Sequence, residues 1–160
     1  VDPDADGVGT TEVRGPHTLR GICRRSREEV FTPDGYYPTG DLGHVDGDGF
    51  LFFHGRSDDM FKVRGATVYP SEVEAALRSL AGVRSAFVTN VVGERGNQVA
   101  AAVVPDDGVT VEQLRSAARS VLSSFKVPTL WALVADGEAV PRGATGKVDV
   151  ARLRALFSDD

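Results

Sequence analysis

The polar bridge Ser57-Asp58-Asp59 divides this chain into two stretches with different hydrophobic periods. Before it, residues 12–57 read as short strands separated by turn signals. Residues 42–45 and 50–53 flank Asp46-Gly47-Asp48-Gly49, a strong hairpin signal. Residues 1–11 are acidic and glycine-containing and read as a loop. After the bridge, short strand-like runs alternate with two-faced helical patterns. A strand-rich piece therefore hands over to an α+β module near residue 59.

The second stretch opens with residues 60–63 and 66–69 around Arg64-Gly65, which predicts a small hairpin. Pro70-Ser71 then opens a helix, with Ser71 and Glu74 at capping-box spacing. Val73, Ala76, Leu77 and Leu80 form its apolar face, and Gly82 is placed to terminate it. Two strands rich in Val and Ala follow, near 83–91 and 98–104. Thr110 with Gln113 predicts another capping box. Helical spacing then runs from Leu114 to Phe125, and Pro128 stops it. Residues 130–134 predict a third strand, and Asp149 an N-cap for a last helix.

A chain of 160 residues can hold one ordinary domain, or one domain and a piece of another. Its net charge of −5 comes from both signs mixed along the chain, which excludes the basic stripe of a nucleic-acid-binding surface. The cluster Arg20, Arg24, Arg25, Arg27 is short and precedes Glu28-Glu29, as a solvated face would. Cys23 stands alone, so the chain can form no internal disulfide and no Cys-based zinc site. A reducing, cytoplasmic setting fits. No apolar run approaches the ~20 residues of a transmembrane helix. No signal peptide opens the chain, which begins at Val1 and reads as a fragment of a longer protein.

Three charged residues sit on or beside glycine turns: Asp41 after Gly40, Arg56 after Gly55 and Lys147 after Gly146. A carboxylate, a guanidinium and an ammonium together suit a nucleotide, the carboxylate for ribose hydroxyls and the cations for phosphate. Four blocks in order, GYYPTGDLG, GRSDDMFKVRG, VYPSEVEAAL and PRGATGKVD, carry a resemblance. From about Gly15 to Phe157 the chain resembles the C-terminal part of the adenylate-forming ligases, the acyl-CoA synthetase superfamily.

That resemblance implies residues 1–57 as the strand-rich end of a large N-terminal domain. It implies residues 58–160 as a small, mobile C-terminal lid, with Asp58 at the hinge. The implied lid has a short β-hairpin and a central sheet flanked by helices. Asp41 would accept hydrogen bonds from the ribose hydroxyls, and Arg56 would add a ribose or phosphate contact. Lys147 would be catalytic, its ammonium bridging the acyl carboxylate and the α-phosphate where charge builds in the transition state. Lys62 and Gly65 would line the channel for the thiol, with Gly65 letting pantetheine pass close to the backbone. The implied reaction joins a carboxylic acid to coenzyme A through acyl-AMP. It uses ATP with Mg²⁺, which the N-terminal domain would mainly hold, and no metal site is expected in this chain. Fatty-acid–CoA ligases are the nearest type implied.

Relatives within the superfamily compete. Peptide-synthetase adenylation domains usually carry Gly before the first Glu of the Glu-x-Glu block, where this chain has Ser71. Tyr69-Pro70 is similar to acyl-AMP ligases that serve carrier proteins, whereas Phe61-Lys62-Val63-Arg64-Gly65 looks like the coenzyme-A-using type. From another class, the chain could be a non-catalytic α+β binding module. Other motifs fail on inspection. Gly146-Lys147 is no P-loop, because Pro141 and Val148 stand where Gly and Ser or Thr are required. Asp2, Asp4, Asp6 and Gly7 begin like a calcium loop, but the twelfth position is Val13. His17, His44 and His54 show no metal spacing.

Overall fold

The computed structural model describes residues 7–94 and 96–158. They form two compact units, one through Asp59 and one from Met60. The calcium-like Asp2, Asp4 and Asp6 lie outside the described residues.

The first unit is a three-stranded antiparallel sheet in the order β1-β2-β3, with β1 Gly9–Val13, β2 Tyr37–Val45 and β3 Leu51–Arg56. Strand β1 corrects the loop expected for residues 1–11 at residues 9–11, and residues 1–6 of that stretch lie outside the described residues. Pairing with the long strand β2 satisfies its backbone, and a loop reading has no way to foresee such a long-range partner. The β2–β3 hairpin follows the sequence. The Asp46 carboxylate accepts from the amides of Asp48 and Phe50, which closes the turn. A one-turn helix, α1 Arg27–Val30, lies where only strands were expected. Ser26 and Glu29 cap it reciprocally. Little of this unit is core. Val30 and Phe31 are its buried large apolar residues among those described, while Val45, Phe50, Leu51 and Phe53 are each more than half exposed.

The second unit is built on a three-stranded sheet. Strands β4 Phe61–Val63 and β5 Ala66–Val68 form the expected small hairpin ahead of it. Arg64 and Gly65 at its tip both have positive φ, 50° and 87°, the pattern of a type I′ turn. Helix α2, Pro70–Arg78, leads into β6 Val83–Gly93, which pairs antiparallel with β7 Gly96–Pro105. Helix α3, Val111–Val121, then carries the chain across to β8 Leu130–Leu133, which pairs parallel with β7. A 3₁₀ turn, Gly137–Ala139, and helix α4, Val150–Ala155, complete the unit.

Alternation along β7 divides the core. Val99, Ala101 and Val103 face one side with Val68 of the hairpin, Leu77 of α2 and Leu114 of α3. Ala102 faces the other side with Val140 and Leu153 of α4. All of these are nearly or fully buried, and each Leu or Val contributes roughly 1.5–3 kcal/mol by leaving water.

Two helix boundaries differ from the sequence reading. Tyr69, not Ser71, is the N-cap of α2, and it makes no side-chain cap hydrogen bond. Pro70 at the first helical position needs no donor there. The Glu74 carboxylate instead accepts from the Val88 amide at 2.9 Å, which ties α2 to the sheet. Helix α3 ends at Val121 rather than Phe125. Leu122 turns extended, so Phe125 and Val127 pack on the core from non-helical backbone. The Thr110–Gln113 capping box and the Asp149 N-cap stand as read.

Candidate functional site

Strand pairing places Asp41 on β2 directly opposite Arg56 on β3. Arg56 Nη1 lies 3.2 Å from Asp41 Oδ1 and donates to the Thr39 carbonyl at 3.3 Å. The other side of the guanidinium is held by Asp58. Nε donates to Oδ1 at 2.9 Å and Nη2 to Oδ2 at 3.2 Å, a bidentate pair. The family resemblance implies Asp58 as a backbone hinge. The structure adds a role for its carboxylate as the main partner of Arg56.

Both charges respond to this. The Arg56 hydrogen bond holds the Asp58 carboxyl below its ordinary value, and Asp58 in turn raises Arg56. The pair is solvent-exposed, so its worth to stability is small.

The backbone around Gly40 is fixed for this cluster. Thr39 Oγ1 donates to the Thr11 carbonyl on β1 and accepts from the Asp41 amide. Ser57 donates to the Gly40 carbonyl through both its amide and its hydroxyl. Gly40 has φ +78°, and a Cβ there would lie 2.9 Å from Arg56 Nη2. The positive φ favours glycine here, and a side chain would also have to displace the guanidinium. Asp41 meets Arg56 through Oδ1 only and is about one-third exposed, which leaves Oδ2 open to accept from a hydroxyl.

Lys147 and the pair Lys62, Gly65 belong to the second unit. Lys147 closes a turn in which Gly143 N–H donates to the Lys147 carbonyl and Gly146 N–H to the Gly143 carbonyl. Gly146 has φ +77°. Arg142 pairs with Val148 across the base, donates to the Gly146 carbonyl at 2.9 Å and lies 5.9 Å from the Phe87 ring. The turn thereby holds an exposed ammonium out on a braced backbone. Lys62 is exposed on β4, and Gly65 has open space where a Cβ would stand. The hairpin packs on the α2/α3 side of the sheet, whereas Val148 beside Lys147 packs on the α4 side. The fold thus places the two groups on opposite layers of one unit.

Among the described residues no group of three or more metal-ligating side chains comes together, and no helix is long and apolar enough to cross a membrane. Sequence reasoning also missed a histidine contact. His44 Nδ1 lies 2.7 Å from His54 Nε2, and His44 stacks on Phe52. The register shift between Leu42 and Gly43 makes this pairing, and spacing alone does not show it.

Residues 72–147 match the family model of the AMP-binding enzyme C-terminal domain. A 2-succinylbenzoate–CoA ligase of Bacillus pumilus is 33% identical over 155 residues, which are 95% of this chain and 31% of that protein. A 3-hydroxybenzoate/4-hydroxybenzoate–CoA ligase of Thauera aromatica is 37% identical over 130 residues, 78% of this chain and 24% of that protein. The ATP-bound crystal structure of MatB from Rhodopseudomonas palustris superposes with a TM-score of 0.80 at 32% identity, over 99% of this chain and 33% of that one. The chain thus spans about a third of the length of the proteins it matches.

Proposed function

We propose, for a chain that belongs to the adenylate-forming acyl-CoA ligase superfamily through its C-terminal portion, that the whole protein joins a carboxylic acid to coenzyme A in two steps. The first step forms acyl-AMP and pyrophosphate from the acid and ATP. The second transfers the acyl group to the thiol and releases AMP. In this reading residues 1–57 end the large N-terminal domain and residues 58–160 are its mobile lid. The exposed apolar residues of β2 and β3 support that, because a free-standing sheet of this size gains little from burying Val30 and Phe31 alone.

The observation that carries the reading is the cross-strand pair Asp41–Arg56 beside Gly40. It sets a carboxylate acceptor and a planar cation side by side on a braced backbone. Asp41 Oδ2 serves the ribose hydroxyls, and Arg56 serves ribose or phosphate. Lys147 meets the charge that develops on the α-phosphate and the acyl oxygen. Lys62 and Gly65 act in the thiol step. Mg²⁺ enters with the ATP phosphates. The acids in the names of the two relatives above are aromatic, so an aromatic acid leads a fatty acid as the class to try first. A cytoplasmic setting belongs to the same reading.

The test is the two half-reactions of the full-length protein, assayed separately. Wild type should show acid-dependent ATP–pyrophosphate exchange. Lys147→Ala should lose exchange by roughly 10²–10³, the cost of one stabilising contact to developing charge. With preformed acyl-AMP supplied, the same variant should form the thioester at a nearly normal rate. Wild-type exchange in Lys147→Ala would remove Lys147 from the chemistry, and no exchange in wild type with any acid would end the ligase reading.

A further inference from the structure

A directed chain of hydrogen bonds crosses the second unit from α4 to the β4–β5 hairpin. Arg154 on α4 donates through Nε to the Asn90 carbonyl at 3.1 Å and through Nη2 to Asn90 Oδ1 at 2.7 Å. Asn90 Nδ2 donates to Asn97 Oδ1 at 2.9 Å. Asn97 Nδ2 donates to the Lys62 carbonyl at 3.0 Å. The polarity of every link follows from the first. Arginine can only donate, so Asn90 must turn its oxygen to Arg154 and its amino group to Asn97. Asn97 must then accept from Asn90, and its own amino group is left for Lys62.

The route goes around the sheet rather than through it. Strand β6 is an edge of the β6-β7-β8 sheet, and Asn90 lies on it. The Asn90 side chain falls on the same face as Ala86 and Val88, which pack with the hairpin. Helix α4 packs on the opposite face through Leu153. Arg154 therefore reaches past the edge strand, covers its outward carbonyl and passes a hydrogen-bond direction from one layer to the other. Asn97 also lines a surface cavity of about 420 Å³, with Val63 and Arg64 of the hairpin and Phe125 among its other walls.

We infer that Asn97 and Asn90 are positioning residues for the thiol step. They hold the hairpin backbone at Lys62 in a fixed relation to α4, the helix that follows the Lys147 turn. The inference rests on the ligase reading for its functional half and on the hydrogen-bond polarity for its structural half. The two halves can be tested apart.

The informative variant is Asn90→Asp. The carboxylate it introduces keeps an acceptor toward Arg154 but cannot donate to Asn97. Asn97 must then turn its amino group to that carboxylate, and its oxygen comes to face the Lys62 carbonyl. The near end survives and the far end breaks. Amide hydrogen exchange on the 160-residue chain should show faster exchange across residues 61–68, with the β6–β7 amides unchanged. Asn97→Ala should have the same effect. Unchanged hairpin exchange in both variants overturns the relay. In the full-length protein the same variants should slow thioester formation from preformed acyl-AMP by about tenfold, in keeping with one lost hydrogen bond. Asn97→Asp, which sets an acceptor against a carbonyl, should be slower than Asn97→Ala. ATP–pyrophosphate exchange should stay within about twofold of wild type. Equal loss in both half-reactions together with a lowered Tm means a purely structural role and overturns the positioning claim. Faster hairpin exchange with an unaffected thiol step overturns it too. If wild type makes no acyl-AMP, the ligase reading fails while hydrogen exchange still judges the relay.

Discussion

Arg56 is the residue on which the first unit's charges converge, and its partners make a definite prediction about pH. The hydrogen bond from Arg56 lowers the Asp58 carboxyl below its ordinary value. A lowered carboxyl contributes its stability above the unfolded value, near 3.9, and loses it as pH falls through the lower folded value. The Asp58 carboxyl resonance should therefore titrate below that of an ordinary Asp. In Arg56→Gln it should move back up. A midpoint that ignores the substitution would mean that the two residues are not paired in solution. At this scale the candidate residues were legible as charges beside turns. Asp41, Arg56 and Lys147 each follow a glycine, and a charge beside a turn is visible in one dimension. The Asp58 carboxylate was not legible as a ligand of Arg56, because side-chain direction two residues along a chain depends on how the strand ends. The His44–His54 contact was hidden for a related reason, since it depends on a register shift between strands.

Helix ends show where local sequence suffices and where it does not. Thr110 and Gln113 lie in one turn and complete each other's hydrogen bonds, so their spacing alone specified the cap. Ser71 and Glu74 have the same spacing and do not form one, because the N-cap is Tyr69, two residues before Ser71, and the sheet claims Glu74. The two sites should respond differently to mutation. Thr110→Ala should cost about 1 kcal/mol through the lost cap. Glu74→Ala should cost roughly 1–3 kcal/mol, because it leaves the Val88 amide without its acceptor. Urea denaturation of the two variants would rank them, and a Glu74 effect smaller than that of Thr110 would mean that its carboxylate does not hold the Val88 amide. The early end of α3 belongs to the same lesson. Phe125 and Val127 keep apolar spacing because both are core residues, so periodicity continued after the helix had stopped.

At the scale of the whole molecule, the lid reading concentrates movement at Asp58, and two substitutions separate backbone from side chain. Asp58→Pro restricts φ and also removes the carboxylate that holds Arg56. Asp58→Ala removes only the carboxylate. If Asp58 is the hinge, Asp58→Pro in the full-length protein should retain one half-reaction and lose most of the other, while Asp58→Ala keeps both near normal. Matching effects of the two variants would assign any loss to the ion pair instead. The unequal cores of the two units predict unequal protection as well. Limited proteolysis of the 160-residue chain should cut first within residues 7–59, leaving residues 60–158 as the persistent fragment, and early cleavage inside β6 or β7 would contradict this. The parallel strand β8 has one further consequence, for the order in which that fragment folds. Strands β6 and β7 meet across a tight connection and can zip together locally. Ala100 must wait for Leu130, across the whole of α3, before the third strand can join. Closing that longer loop comes before its contacts repay it, so α3 and β8 should add late to a preformed hairpin. A chain emerging from the ribosome would then hold an open edge along β7 until β8 had been made.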